Sequence, residues 1–177
     1  MPENDRKPHA IIVMGVSGSG KSSIGEKLAE ALSLRFVEGD ALHPRSNVEK
    51  MSKGIPLTDE DRMPWLDVIG QTIKSALSEG EGVIVSCSAL KRIYRERLRE
   101  AAGGNLFFVY LEGSKELLMD RMGHRTGHFM PASLLESQLA TLEVPTGEPG
   151  VVTVDIDGTV DAIAEAARMK LAPLGIS

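Results

Sequence analysis

Apolar positions along this chain come in two rhythms that take turns. The first is a short unbroken run, seen at residues 10–14 (AIIVM), 83–87 (VIVSC), 106–111 (LFFVYL) and 151–155 (VVTVD), with a smaller one at 35–38 (RFVE). Such runs, rich in β-branched residues and stopped by glycine or polar residues, predict strands buried on both faces. The second rhythm is a stripe at helical spacing. Ile24, Leu28, Ala31 and Leu32 predict a helix over 21–32. Leu66, Ile69, Ile73, Ala76 and Leu77 predict a long one over 59–78, and Val160, Ile163, Ala164, Ala167 and Leu171 a final one. Thr58 and Asp61 have the form of an N-cap pair ahead of the long helix. Helices are also expected over 91–102, 114–122 and about 131–142, with short-helix and loop material over 41–58. Strands alternating with helices predict the α/β class: a parallel sheet covered on both sides. Residues 1–8 read as a loose polar tail and 9–177 as one domain.

Composition narrows the partners. The 177 residues carry a formal charge of −5, which argues against a nucleic-acid binder that needs a basic face. Aromatic residues are few (four Phe, two Tyr, one Trp), so the core rests on aliphatic side chains. One cysteine, Cys87, cannot form an intrachain disulfide and reads as packing within a strand. No apolar stretch approaches the ~18 residues that span a bilayer, and the first residues, MPENDRKPH, are unlike a targeting peptide. The expected setting is the cytoplasm, without membrane or nucleic acid as partner.

The strongest chemical signal is GVSGSGKS over residues 15–22, a full G-x-x-x-x-G-K-[ST] match between a predicted strand and a predicted helix. Its glycines let successive N–H groups curl around phosphate oxygens, and the helix adds its positive end. Gly15, Val16, Ser17, Gly18, Ser19, Gly20, Lys21, Ser22 and Ser23 are therefore candidate ATP-binding residues. Lys21 would reach the β- and γ-phosphates, and the Ser22 hydroxyl would ligate Mg²⁺. No [NT]-K-x-D guanine-reading sequence is present.

A third strand ending in Ser86-Cys87-Ser88 offers no acid for the metal or water. Asp40, just past the second strand, is the well-placed carboxylate. Ligands of open α/β sheets bind beyond the carboxyl ends of strands, so Asp40 would face the phosphate loop and could take the proton of an acceptor hydroxyl. The alternative is a turn or capping aspartate.

The runs MGVSGSGKSS (14–23), GDALHPRSNVEKMSKGIPLTDEDRMPWL (39–66), CSALKRIYRERLR (87–99), FVYLEGS (108–114), RMGHRTGHFMP (121–131) and VDIDG (154–158) together resemble gluconokinases of the short P-loop type. The resemblance spans about residues 10–170. It implies a P-loop kinase fold of the shikimate and nucleoside monophosphate kinase kind, with five parallel strands in the order 2-3-1-4-5. It also implies a lid over ATP at about 123–131, a homodimer, and transfer of the γ-phosphoryl group of ATP to the 6-hydroxyl of D-gluconate. A related kinase for another small polar acceptor, or an ATP-binding regulatory module, are the alternatives.

Under that resemblance Lys21, Asp40 and Arg125 are the catalytic candidates, with Arg125 delivered by the lid. Arg121 is placed on the nucleotide side. Asp40, His43, Arg45, Ser88, Lys91 and Arg92 are candidates for holding the sugar acid, and Arg95 belongs to the same cationic cluster. Capping or core packing is the alternative for His43, and a solvated helix face for the cations. His124 and His128 lack the glutamate of a zinc helix, and Asp155-Ile156-Asp157-Gly158 reads as a strand end and helix cap rather than a calcium loop.

Overall fold

Ala10–Met14, the strand β1, is fully buried at all five positions, which places it at the centre of the molecule. The computed structural model describes residues 8–123 and 132–176. In chain order β1 is followed by α1 (Lys21–Leu32), β2 (Arg35–Glu38), α2 (Arg45–Ser52), α3 (Asp59–Ser78), β3 (Val83–Ser86) and α4 (Arg92–Ala101). Then come β4 (Leu106–Glu112), α5 (Lys115–Gly123), α6 (Ala132–Thr141), β5 (Val151–Asp155) and α7 (Val160–Leu171). The strands form one parallel sheet in the order β2-β3-β1-β4-β5, as the resemblance implies. Helices α1 and α7 pack together on one face of it, and α3 and α4 on the other.

Local sequence sets the element ends. Thr58 caps α3 in a reciprocal box: its hydroxyl accepts from Asp61 N, and Asp61 Oδ2 accepts from Thr58 N. That box is the larger cause holding the Asp61 carboxyl down to about 2, with Lys50 adding to it. Between β2 and α2 the chain makes a single 3-10 turn, Gly39–Leu42, which the periodicity does not show.

Register carries these ends to one edge of the sheet. Glu38 lies opposite Ser86, and Ser86 opposite Val13. The residues that follow, Gly39-Asp40, Cys87-Ser88 and Gly15 onward, therefore leave the sheet side by side. Cys87 is fully buried, and desolvation pushes its thiol up to about 12, so it packs and does not react.

The turn after β3 is strained and stapled. Ala89 has φ +45, a left-handed conformation that costs a side-chain-bearing residue about 1 kcal/mol or more. Its carbonyl accepts from Arg95 Nη1 at 2.8 Å. Arg95 is fully buried and its Nη2 also donates to Glu143 O at 2.9 Å and to Glu148 Oε2 at 2.6 Å. Arg99 donates to the other Glu148 oxygen at 3.0 Å. Burial pushes the Glu148 carboxyl up, but the two arginines together outweigh it and leave it below the usual range. Arg95 is thus withdrawn from the cluster of binding cations: its donors are spent on the fold. Arg99, one helical turn further along α4, is only 12% exposed.

Replacing Arg95 with Ala strands Glu148 in the interior and releases Ala89. Chemical denaturation should show a loss of about 3–5 kcal/mol, as for other broken buried pairs.

Candidate active site

The phosphate loop runs from Gly15 to the first turn of α1. Gly20, the residue before that helix, has φ +89, a conformation that glycine adopts without strain. The loop braces itself through Val16 O, which accepts from Ser19 N (3.2 Å), Ser19 Oγ (2.7 Å) and Lys21 Nζ (3.2 Å). Open space lies on both sides of it. On one side Gly18, Gly20, Ser22, Ser23, Arg121 and Gly158 line a hollow. On the other, Ser17 and Lys21 share a cleft with Asp40, His43, Arg62, Trp65, Ser88 and Gln138. The arrangement brings Asp40 to the phosphate loop, with its carboxylate half exposed.

A carboxylate also stands where the third strand offered none. Glu38 ends β2. One of its oxygens accepts from Ser22 Oγ and the other from Ser86 Oγ at 2.5 Å, while Gly39 N donates to Ser86 Oγ at 3.1 Å. The Ser22 hydroxyl beside an acid is an oxygen-rich donor set that suits a hard cation such as Mg²⁺. The sequence signal for Glu38 was present, an acid closing a strand, but Asp40 two residues on drew the assignment.

Gly39 and Trp65 hold Asp40 in place. A Cβ on Gly39 would lie 1.8 Å from Ser86 O, so no side chain fits there. The Gly39 carbonyl accepts from Trp65 Nε1 at 2.8 Å. Trp65 stacks on His43 with centroids 3.9 Å apart and planes 15° from parallel. Asn47 Nδ2 donates to Asp61 O at 2.8 Å and meets His43 Nδ1 at 3.2 Å. That pattern makes Nδ1 the acceptor and leaves the proton on Nε2, which faces Asp40 Oδ1 at 3.9 Å. Desolvation, only partly opposed by Asp40 and reinforced by Arg62, pushes the His43 pKa down to about 4. The imidazole is neutral at pH 7.

Arg62 is a further cation of the cleft, outside the residues that the motifs single out. It is 8% exposed, and its Nη1 donates to Tyr94 OH at 2.9 Å. Among the described residues no carboxylate pairs with it, and His9 Nδ1 is the one fully buried side-chain nitrogen or oxygen without a partner. The remaining Arg62 N–H groups therefore reach open space, and the open space beside them is the cleft. Its signal was positional. Arg62 falls on the buried stripe of α3, three residues before Trp65 and four before Leu66.

Three candidates for the sugar acid stand elsewhere. Arg45, first residue of α2, is 94% exposed and turns along the helix to Glu49 at 3.6 Å. Arg92 does the same on α4, reaching Glu96 at 3.7 Å. Lys91 Nζ is held by Asp59 Oδ1 at 2.9 Å, which also accepts from Tyr94 OH. Lys91, ahead of Tyr94, is the larger cause of the lowered Asp59 carboxyl pKa. Lys91 thus belongs to a relay, Lys91–Asp59–Tyr94–Arg62, that stands behind the cleft wall. Ser88 lines the cleft as expected. Arg121 donates to Ile156 O and to Gly158 O, beside the hollow on the other side of the loop. Arg125, His124, His128 and all of the expected lid except Gly123 lie outside the described residues.

A loop of backbone amides, a lysine, a carboxylate and a buried arginine around one cleft can hold a polyphosphate against an anionic polyol and deprotonate its hydroxyl. Comparison with known proteins bears on the family of the whole chain. Residues 11–145 match a family described as an AAA domain. The chain is 50% identical to the gluconokinase of Gluconobacter oxydans over 90% of its own length and 89% of that protein's. It is 44% identical to the thermosensitive gluconokinase of Escherichia coli, covering 92% and 87%. The crystal structure of a gluconokinase from Sinorhizobium meliloti superposes with a TM-score of 0.87 at 58% identity, over 96% of this chain and 94% of that one. Relatives this similar, matched nearly end to end, leave one assignment: the chain belongs to the gluconokinase family.

Proposed function

We propose that this protein transfers the γ-phosphoryl group of ATP to the 6-hydroxyl of D-gluconate, releasing 6-phospho-D-gluconate and ADP. One observation carries the reading: Lys21 of the phosphate loop, the Asp40 carboxylate and the buried Arg62 line one cleft. Gluconate has a hydroxyl to phosphorylate at one end and a carboxylate to be held at the other. Asp40 suits the first and Arg62 the second.

Asp40 accepts the proton as the 6-oxygen forms its bond to Pγ, while the bond from Pγ to the bridging oxygen breaks and ADP leaves with that electron pair. Lys21 offsets the charge that develops on the transferring group. Neutral His43 presents its Nε2–H beside Asp40 and suits a substrate hydroxyl. Arg62, oriented by Tyr94, offers a charge-assisted hydrogen bond to the carboxylate. Ser22, with Glu38 behind it, would hold Mg²⁺. When bound, the ion neutralises phosphate charge.

Gly18, Gly20, Ser23 and Arg121 would face the rest of the nucleotide. The reading includes residues 123–131 as a lid that carries Arg125 to the phosphoryl group. It extends to a homodimer, as the resemblance implies, and to the cytoplasm as its setting; no helix among the described residues is long and apolar enough to cross a membrane.

Asp40→Asn should lower kcat by about 10²–10⁴-fold, the usual worth of a general base, while the KM for ATP moves little. A coupled ADP-release assay with gluconate checks this, and near-normal kcat would refute the role of Asp40. Arg62→Ala should raise the KM for gluconate by about 10–100-fold, as for a lost bond to a charged group. The KM for ATP should stay near that of the unaltered protein, and equal effects on both would count against carboxylate binding.

His43 gives a pH signature. Unfolded, the imidazole takes a proton near 6.5; folded, only near about 4. Between those values the unfolded state binds more protons, so stability is full above 6.5 and falls as pH drops towards 4. In His43→Gln the melting temperature should depend less steeply on pH over that window. An unchanged slope would show that His43 is not the group responsible.

A further inference from the structure

The phosphate loop has a brace that none of its own residues supplies. Gln138 Oε1 accepts from Ser17 N at 2.7 Å and from Ser17 Oγ at 3.1 Å, across 121 positions of sequence. The donor is a backbone N–H, so the acceptor must be the carboxamide oxygen, and the side chain has one orientation. Ser17 itself is 6% exposed. It faces the cleft with Asp40 and Lys21, whereas Gly18, Gly20, Ser22 and Ser23 line the hollow on the opposite side. Ser17 is therefore the part of the loop nearest the acceptor, where the terminal phosphoryl group must lie.

The helix that carries Gln138 is anchored close by. Leu135 of α6 is fully buried. Two residues past the helix, Glu143 N donates to Leu90 O at 2.7 Å, its carbonyl accepts from buried Arg95, and its carboxylate accepts from Arg92 N at 2.9 Å. Leu90 lies two residues after Ser88, on the cleft wall. One rigid piece thus touches both the wall that receives the acceptor and the loop that presents the phosphoryl group. A neutral oxygen suits the task, since it holds an N–H without bringing negative charge to a phosphate.

We propose that Gln138 is a positioning residue that sets the acceptor-facing end of the phosphate loop for the γ-phosphoryl group, leaving the hold on the rest of the nucleotide to the other loop residues. This rests on the kinase reading above.

The experiment compares the unaltered protein with Gln138→Ala and Gln138→Glu. Calorimetry gives the Kd for ADP and for a non-hydrolysable ATP analogue, and the coupled assay gives kcat with gluconate. Gln138→Ala should bind ADP as the unaltered protein does and lose about twofold to twelvefold for the analogue, the worth of one hydrogen bond. Its kcat should fall by about 10–100-fold from misplacement of the reacting group. Gln138→Glu keeps an acceptor for Ser17 but adds charge, so it should keep ADP affinity and bind the analogue more weakly than Gln138→Ala. It also carries the comparison should the alanine variant fail to fold. Parallel changes for ADP and the analogue would show general loss of the loop and overturn the proposal, as would unchanged affinity for the analogue. Absence of gluconate turnover by the unaltered protein would sink the substrate reading instead, and the nucleotide comparison would still decide the role of Gln138.

Discussion

A hydrogen atom is all that fits on the α-carbon of Gly39. Its backbone presses against the Ser86 carbonyl so closely that a methyl group would overlap it. That contact joins the end of β2 to the end of β3 and divides the labour of two carboxylates. Glu38, on the sheet side, is taken up by Ser22 and Ser86 and faces the phosphate loop. Asp40, on the far side, enters the cleft. The tryptophan that closes on the Gly39 carbonyl then supplies the surface on which His43 lies flat. Two acids within three residues have different neighbours because one glycine lets the backbone turn between them.

Charge in the cleft is organised by what stands behind it. An arginine at 8% exposure is costly to bury unless something receives its donors. Here Tyr94 takes one, and the rest open onto the cleft. Tyr94 is in turn fixed by Asp59, and Asp59 by Lys91. The positive charge is thus presented on a prepared support, which reduces the entropy lost when an anion binds. Arg95 shows the opposite use of the same side chain, with its donors turned inward to carbonyls and to Glu148.

How far the sequence alone could be read follows from how local each signal was. β1, α1, β2, α3 and β5 begin and end where the patterns place them, because unbroken apolar runs and the Thr58 cap are decided within a few residues. The phosphate loop was legible for the same reason. Arg45, Lys91 and Arg92 were assigned to the sugar acid from their nearness to strand ends, a signal that does not reveal the acids they pair with, a helical turn away or on another helix. Arg62 was recoverable, since a charge on an apolar stripe is an anomaly that asks for an explanation. Gln138 was not: nothing near it in sequence announces a partner 121 residues earlier.

Trp65 has one further consequence. It is the chain's single tryptophan, and its indole is sandwiched into the cleft wall with an imidazole on its face. Emission excited at the red edge, where tyrosine does not absorb, therefore originates at one known place, against His43 in the cleft wall. The molecule carries its own optical probe, and occupancy of the cleft can be followed without attaching a dye.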